Sequence, residues 1–405
     1  MSGSGRQARD AARLNSRRAA AVAAAVLTLA VPALLAGGCG SPGARTGAAA
    51  GAARAVRPSM TTSAVSPAGN GSAVVEMGGS AAQHENFWQL FTRSGRAGRW
   101  QLATPKGVAD NGGLVVASRG AASLVTGFVP SQDLTFSPLA STSDDGASWS
   151  PGLINGGLAG LPDALAAASD GRLLGILRGG TAELSAPGGT SWRRLASERS
   201  LAATAAGRSC GLAAITAAAF GAGGEPLLGG SCSRPGTAGV FALSGGTWHL
   251  AGPALPAALA GQDVEVIRLA STATGRVALL AVGTGKVRNV IAAWSSGLGT
   301  TWTQATPFRM GVSQLRSVSL GPNGQLALTL NADRGVTVAG PGAPWRPLPA
   351  LPARTATLVA GPAGVVEALA TTSSTLSVWR LAAGGAASWS RVQVIKVPVP
   401  FGSSA

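Results

Sequence analysis

From about residue 73 onwards, short apolar runs alternate with glycine-containing turns. The segments 165–185, 266–283 and 317–331 each hold an apolar run, a tight turn, a second apolar run and a more polar third run. Short runs separated by turn residues at regular intervals are typical of antiparallel strands, and long helical periodicity is lacking after residue 36. The pattern therefore predicts an all-β fold.

Tryptophan marks a repeat along this β-rich part of the chain. Seven tryptophans, each just after a turn-like stretch, recur at intervals of 43 to 56 residues: Trp100, Trp149, Trp192, Trp248, Trp302, Trp345 and Trp389. Four short strands fit in each interval, as in one blade of a β-propeller. We therefore predict a seven-bladed β-propeller of four-stranded antiparallel blades. Six or eight blades stay open, because Trp88, Trp294 and Trp379 lie outside the main phase.

The last strand-like segment, residues 391–397, alternates between polar and apolar positions. It either completes the seventh repeat or closes the ring against the first repeat, and the sequence leaves both alternatives open.

One turn carries a recognisable motif, with Thr142, Asp144, Gly146, Ser148 and Trp149 as its defining positions. It resembles the Asp-box, or BNR-like, repeat of sialidase-like β-propellers, a structural hairpin. The aspartate is expected to accept amide hydrogen bonds within the turn, and the glycine to adopt a positive φ. The tryptophan is expected to begin the outer strand and to pack its ring between neighbouring sheets.

The same resemblance raises the hypothesis of a glycosidase, whose sialidase-type active site uses a tyrosine nucleophile. The chain contains no tyrosine, and it lacks the Arg-Ile-Pro motif of those enzymes. Its two histidines, His84 and His249, do not cluster with cysteine, and no nucleophile elbow is present. Asp263 and Glu265 would share one face of a strand, where exposed acids are the simpler interpretation. We predict no catalytic residues, no metal site and no cofactor.

The amino terminus has the features of an export signal. Residues 1–18 are polar and basic, and residues 19–36 form an uncharged apolar run that is short for a spanning helix. The run ends in Leu-Ala-Gly-Gly-Cys at residues 35–39, which resembles the lipobox of bacterial lipoproteins. The resemblance implies removal of residues 1–38 and a lipid on Cys39. An ordinary signal peptide is the alternative, and the arginine pair at 17–18 leaves Sec and Tat export both open.

Residues 39–72 consist almost entirely of Gly, Ala, Ser, Pro, Thr, Arg and Val. Such a composition cannot bury a core and predicts a flexible tether. The predicted domains are therefore a signal peptide at 1–38, a tether at 39–72 and a propeller at 73–405.

Two further cysteines, Cys210 and Cys232, flank a strand–turn–strand pattern in the fourth repeat. An oxidising compartment outside the cytoplasm would allow them to form a disulfide.

The formal net charge is +16. Arginines are scattered, and export removes the protein from nucleic acid, so we predict no nucleic-acid binding. A basic exported protein can instead contact an anionic surface or polymer. The basic and aromatic residues considered for such contacts are Trp88, Arg93, Arg96, Arg99, Arg193 and Arg194.

Taken together, these features predict a monomeric lipoprotein held at the outer face of the cytoplasmic membrane. Its propeller is expected to be a non-catalytic binding or assembly scaffold for a protein or a cell-envelope ligand. The alternative function is a carbohydrate-active enzyme of unrecognised type. The alternative fold is a pair of β-sandwiches.

Overall fold

The computed structural model describes residues 60–398, apart from 67, 79–85, 107–112, 131–134, 235, 273–274, 285–286, 298–300, 312–313, 332, 355, 373 and 384–387. The described residues belong to one compact unit, Ala55–Ala405. The predicted signal peptide, Cys39 and His84 lie outside the described residues, as does the tether up to residue 59.

The described strands form successive groups of four, and in each group consecutive strands pair antiparallel. The first group holds β1 (Thr61–Val65), β2 (Gly71–Gly78), β3 (Asn86–Arg93) and β4 (Trp100–Leu102). The second holds β5 (Leu114–Ser118), β6 (Leu124–Phe128), β7 (Ser137–Thr142) and β8 (Ser150–Ile154). The third holds β9 (Leu165–Ala167), β10 (Leu173–Leu177), β11 (Thr181–Ser185) and β12 (Trp192–Ser197).

Two short helices, α1 (Glu198–Ala202) and α2 (Ala205–Cys210), connect the third group to the fourth. The fourth group holds β13 (Leu212–Phe220), β14 (Pro226–Cys232), β15 (Gly239–Ser244) and β16 (Thr247–Leu250). The fifth holds β17 (Val264–Thr272), β18 (Gly275–Val282), β19 (Val287–Ser296) and β20 (Thr301–Gln304), and β21 (Phe308–Gly311) also pairs with β19.

The sixth group holds β22 (Leu315–Leu320), β23 (Leu326–Leu330), β24 (Arg334–Val338) and β25 (Arg346–Pro347). The seventh holds β26 (Thr357–Ala360), β27 (Val366–Thr371), β28 (Thr375–Leu381) and β29 (Ser390–Lys396). The prediction of an all-β fold built from four-stranded antiparallel repeats is confirmed. The segment at 391–397 completes the seventh repeat, because β29 pairs with β28.

Burial decreases from the inner to the outer strands of a repeat. All five residues of β10 are buried, whereas β29 alternates between exposed and half-buried positions. A strand covered on both faces favours a continuous apolar sequence, and an edge strand favours alternation. This gradient explains why the first two runs of each repeat are apolar and the third is more polar.

The predicted tether is wrong over its last residues. Thr61–Val65 is a buried strand that pairs antiparallel with β2 and parallel with β22 of the sixth repeat. The described fold therefore includes residues 61–65, which the prediction assigned to the tether. Small and β-branched residues gave this segment the composition of a linker, but long-range pairing determines its structure.

Side-chain contacts hold the first and seventh repeats together; we call the interface between these two repeats the seam. An apolar cluster that includes Met77, Phe91 and Leu376 spans it. Beside this cluster, the buried carboxylate of Glu367 accepts hydrogen bonds from the guanidinium of Arg93 and from other donors described below.

Side chains also bridge other neighbouring repeats at their first hairpin turns. The guanidinium of Arg119 donates to the carbonyl of Gly171 (3.3 Å), and that of Arg172 donates to the carbonyl of Gly224 (2.8 Å). Both glycines have a positive φ, which an L-residue rarely adopts. The bridges link the second repeat to the third, and the third to the fourth.

A buried acid joins the inner strands of distant repeats. Asp163 lies just before β9, and its carboxylate accepts a hydrogen bond from the amide of Leu269 in β17 (2.6 Å). The Nε atom of Arg268 lies 3.5 Å from the other carboxylate oxygen. Burial raises the pKa of Asp163 to about 6, while the charge of Arg268 opposes the shift.

This raised pKa predicts a pH-dependent stability. The folded state binds a proton that the unfolded state has already released, so the free energy of unfolding should fall as the pH rises from about 4 to about 6. A shift of this size corresponds to about 3 kcal/mol. Chemical denaturation at a series of pH values should show the fall in the wild type and a flatter profile for Asp163→Asn. Asp170→Asn, which alters an exposed acid, should keep the wild-type profile between pH 4 and 6.

The predicted disulfide is present in the fourth repeat. Cys210 ends α2, Cys232 ends β14, and their Cα atoms are 5.3 Å apart. Both residues are buried, and they lie against Gly239, where a Cβ would come within 2.3 Å of one sulfur. The disulfide therefore links α2, in the connection between the third and fourth repeats, covalently to the β13–β14 hairpin of the fourth repeat.

Candidate functional site

The turn between β7 and β8 has the hydrogen bonds of a closed hairpin. One carboxylate oxygen of Asp144 accepts from the amide of Ser148 (2.9 Å) and from the hydroxyl of Thr142 (2.6 Å). The other oxygen accepts from the hydroxyl of Ser148 (2.6 Å). These hydrogen bonds, with that from the Ser148 hydroxyl the strongest, lower the pKa of Asp144 to about 2. The carboxylate is thus ionised and committed to the turn, where it is a structural group.

The glycine and tryptophan of the motif also lie as the hairpin requires. Gly146 has a φ of 92°, and a Cβ there would come within 2.7 Å of the Cβ of Ala103. Trp149 directly precedes β8 and packs against the apolar cluster between the first two repeats. The motif therefore joins two repeats and presents no reactive group.

A neighbouring acid, which the sequence did not single out, makes the polar contacts of this joint. Asp145 has a φ of 56°, and its carboxylate accepts hydrogen bonds from Asn70 (3.0 Å) and Ser94 (2.5 Å) of the first repeat. Its backbone carbonyl accepts from the hydroxyl of Thr92 (2.7 Å). Adjacent aspartates in the motif were a signal that one of them had a further partner.

Two of the repeat tryptophans donate a hydrogen bond to the preceding repeat. The indole N–H of Trp192 donates to the carbonyl of Leu153 (3.1 Å), and that of Trp302 donates to the carbonyl of Ala251 (2.9 Å). Each acceptor lies in, or just after, the outer strand of the repeat before. Their rings are half-buried against the same interface. These tryptophans are structural residues of the inter-repeat joints.

Most acids in the described part of the chain are also committed to structural contacts. Glu225 pairs with Arg276 (2.8 Å), and Glu265 pairs with Arg288 (2.8 Å). Asp263 is exposed just before β17, whereas Glu265 is buried, so the interpretation of both as exposed acids is wrong for Glu265.

Only some of the residues considered for contact with an anionic partner lie at the surface. Trp88 and Arg93 are buried, so they cannot contact a partner from the surface. The four exposed members of the set are Arg96, Arg99, Arg193 and Arg194. His249 is exposed on the outer strand β16. Within the ranges that the structure describes, no group of His, Cys, Asp and Glu could hold a metal ion, and no helix could span a bilayer.

A cleft of about 520 Å³ opens between the outer strands of the fifth and sixth repeats. We call it the rim cleft; its lining residues include Phe308, Asp333, Arg334, Trp345, Pro347 and Leu348. Two irregularities of the strands create it. β25 is only two residues long, and β21 extends the fifth repeat by pairing Phe308 with Val290 of β19. The short strand leaves open a space that the additional strand borders.

Two aromatic rings form one wall of the rim cleft. The ring centroids of Phe308 and Trp345 are 5.9 Å apart, and the rings are tilted by 42°. Tilted aromatic pairs at this separation attract each other beyond their area of burial. Both side chains are half-buried, so their ring surfaces are partly accessible from the cleft.

The charged side of the rim cleft lies in the turn between β23 and β24. Asp333 has a φ of 61°, and its carboxylate lies 3.6 Å from the Nε atom of the exposed Arg354. The next residue, Arg334, is exposed at the start of β24. A guanidinium is a fork of five N–H donors that matches carboxylate geometry. The cleft thus presents apolar rings, a carboxylate and a guanidinium.

A second, smaller cavity of about 280 Å³ surrounds Trp192 in the third repeat. Its lining includes Arg172 and Arg193. The guanidinium of Arg172 already bonds the carboxylate of Asp170 (2.7 Å) and the carbonyl of Gly224. This cavity also has an aromatic ring and arginines but about half the volume of the rim cleft.

Comparison with known proteins identifies the fold. No family model and no curated protein matches the sequence. Among solved structures, the GH74 enzyme of Niastella koreensis is similar with a TM-score of 0.52 and 15% identity over 82% of this chain. The chain is a β-propeller. It spans 54% of that enzyme, about half its length, and at this identity the likeness shows the fold alone.

Two other solved structures are similar at lower TM-scores. YCF48 from Cyanidioschyzon merolae is 12% identical, with a TM-score of 0.45 over 80% of this chain and 93% of its own. The lectin of Aleuria aurantia is 13% identical, with a TM-score of 0.40 over 85% of this chain and 97% of its own. The function of this propeller must therefore be argued from its own residues.

Proposed function

We propose that the mature protein is a lipid-anchored β-propeller outside the cytoplasmic membrane that binds a cell-envelope ligand without chemically changing it. The observation that carries the proposal is the rim cleft, an accessible concave surface with aromatic and charged side chains. Clefts of about 300 to 1,000 Å³ with apolar walls and a few polar groups are the usual form of a ligand site.

The disposition of the acids favours binding over catalysis. Hydrolysis of a glycoside usually needs two carboxylates on opposite sides of the bond. Asp163, Glu225, Glu265 and Glu367 each lie beside an arginine, and Asp144 is bound within its turn. Asp333 is the acid of the rim cleft, and one carboxylate can orient a ligand hydroxyl but does not form such a pair.

Placement at the membrane rests on the lipobox-like sequence that ends in Cys39. Acylation there would keep the propeller at the outer face of the cytoplasmic membrane, where envelope polymers are within reach. A single acyl chain gives only reversible membrane binding. Stable anchoring therefore needs several chains, such as a diacylglyceryl group on the sulfur and an acyl chain on the amino group of Cys39, or added electrostatic attraction.

Replacing Cys39 by alanine should move the protein from the membrane pellet to the soluble fraction and should abolish labelling with an alkyne fatty acid. The double variant Cys210→Ala/Cys232→Ala is the matched control, because it removes two cysteines and should keep the label. A wild-type chain without label, or a Cys39→Ala chain that still sediments with membranes, contradicts the anchor.

Binding can be measured with the full lipidated chain in mild detergent and washed cell envelopes from the producing cells. The wild type should sediment with the envelopes, and the double variant Phe308→Ala/Arg334→Gln should remain in the supernatant. Equal sedimentation of the two proteins would show that the rim cleft is not the binding site. Release of soluble glycan fragments by the wild type would contradict the non-catalytic part of the proposal.

A further inference from the structure

The stretch of chain that forms most of the rim cleft has an excess of positive charge. Between residues 301 and 366, Asp333 is the only acidic residue in the sequence. The same stretch has five arginines: Arg309, Arg316, Arg334, Arg346 and Arg354. All five are exposed, and Arg334 itself lines the cleft. Such a concentration of positive charge favours an anionic ligand.

The aromatic wall adds a second requirement, which a simple anion does not meet. The rings of Phe308 and Trp345 offer apolar surface next to the exposed guanidinium of Arg334. A ligand that uses both must combine an apolar face with a negative charge. The C–H face of a pyranose ring is apolar, and a carboxylate on that ring can accept paired N–H donors from an arginine.

We infer that the rim cleft binds an acidic saccharide, a pyranose unit that carries a carboxylate, in an envelope polymer. This inference rests on the proposed binding function and specifies its ligand. The guanidinium of Arg334 donates hydrogen bonds to the ligand carboxylate, Phe308 and Trp345 contact the sugar ring, and the carboxylate of Asp333 accepts a hydrogen bond from a ring hydroxyl. The cavity at Trp192 does not meet the same conditions, because its described lining residues include one aromatic ring and no acid.

Calorimetric titration of the full chain in detergent tests the inference with three probes of similar size. Trigalacturonate is an acidic saccharide, maltotriose is its neutral counterpart, and triglutamate is an acidic molecule without a sugar ring. Trigalacturonate should bind at least tenfold more tightly than either of the other two. Equal binding of maltotriose would overturn the role of charge, and equal binding of triglutamate would overturn the role of the sugar ring.

Single variants then locate the site. Arg334→Gln and Phe308→Ala should each weaken trigalacturonate binding at least tenfold. Arg193→Gln is the matched control, because it removes an exposed arginine beside the repeat tryptophan Trp192 and should leave binding unchanged. Since Arg334 is exposed, its variant should keep the wild-type melting temperature, so a loss of binding reports the site and not the fold. An unchanged affinity in Arg334→Gln would overturn the assignment.

The titration tests the ligand class, and the envelope experiment tests the proposed function, so the two can give different outcomes. If the wild type sediments with envelopes and the Phe308→Ala/Arg334→Gln protein does not, yet trigalacturonate fails to bind, the ligand class is wrong and the proposed function stands. If neither the envelopes nor trigalacturonate bind, both the proposed function and the ligand class are wrong.

Discussion

Replacing Glu367 by glutamine should lower the free energy of unfolding by about 3 to 5 kcal/mol, the usual cost of removing one partner from a buried ion pair. Glu367 is 2% exposed and accepts hydrogen bonds from the guanidinium of Arg93, from the guanidinium of Arg380 (2.8 Å) and from the indole N–H of Trp100 (3.0 Å). Glutamine keeps the shape but leaves two guanidiniums without their counter-charge.

The position of this carboxylate adds to the effect. Burial lowers the pKa of Arg93, and the charge of Glu367 acts in the opposite direction, so loss of that charge leaves a poorly hydrated cation at the seam. A second bridge crosses the same seam, where the side chain of Gln393 exchanges hydrogen bonds with the backbone of Trp100 (3.0 and 2.7 Å). Weakening the seam should therefore loosen β29 as well.

Chemical denaturation measures the stability, and hydrogen exchange of β29 measures the local opening. Asp170→Asn is the matched control, since Asp170 also pairs with an arginine, Arg172, but its side chain is 49% exposed. Solvent should limit the effect of that variant to about 1 kcal/mol. Similar losses in the two variants, or a loss below 1 kcal/mol for Glu367→Gln, would mean that the seam does not depend on this carboxylate.

Replacing both Cys210 and Cys232 by alanine should lower the free energy of unfolding by about 3 to 4 kcal/mol. The disulfide closes a loop with a sequence separation of 22 residues, and in the chain-entropy model that constraint destabilises the unfolded state by about this amount. Alanine leaves the two buried positions apolar, so the variant introduces no unpaired polar group.

Denaturation with and without a reducing agent measures this effect. The wild type should lose about the same stability when reduced, whereas the double variant should not respond to reduction. If the reduced wild type keeps its full stability, the disulfide does not constrain the fold. Because α2 ends at Cys210, its amides should exchange faster in the variant, while those of the sixth repeat should not change.

The sequence predicted the repeats because their determinants are local. Each repeat tryptophan follows a turn that its own neighbours specify, and the Asp144 hairpin closes within eight residues, from Thr142 to Trp149. The pairing of Cys210 with Cys232 was also predictable, because one hairpin separates them. Short-range pattern is sufficient for features of this kind.

The remaining features depend on partners far along the chain. Thr61–Val65 resembles a linker, and only its pairing with β22 makes it a strand. Arg93 resembles a surface arginine in the sequence, but it is buried at the seam, where it pairs with Glu367. The rim cleft arises from the length of β25 and from the additional strand β21, and neither has a signal in the periodicity of the tryptophans.

The parallel pairing of β1 with β22 has a consequence for how this protein can evolve. Repeat proteins commonly change length by duplication or deletion of whole units, because each unit contacts only its neighbours. Here the first unit shares a backbone ladder with the sixth, and a hydroxyl of the first, that of Ser63, also donates to the carbonyl of Leu358 in the seventh (2.6 Å). A unit inserted after the sixth or the seventh would separate these partners. Descendants of this chain are therefore expected to keep the sixth and seventh units in contact with the first, while turns and outer strands diverge.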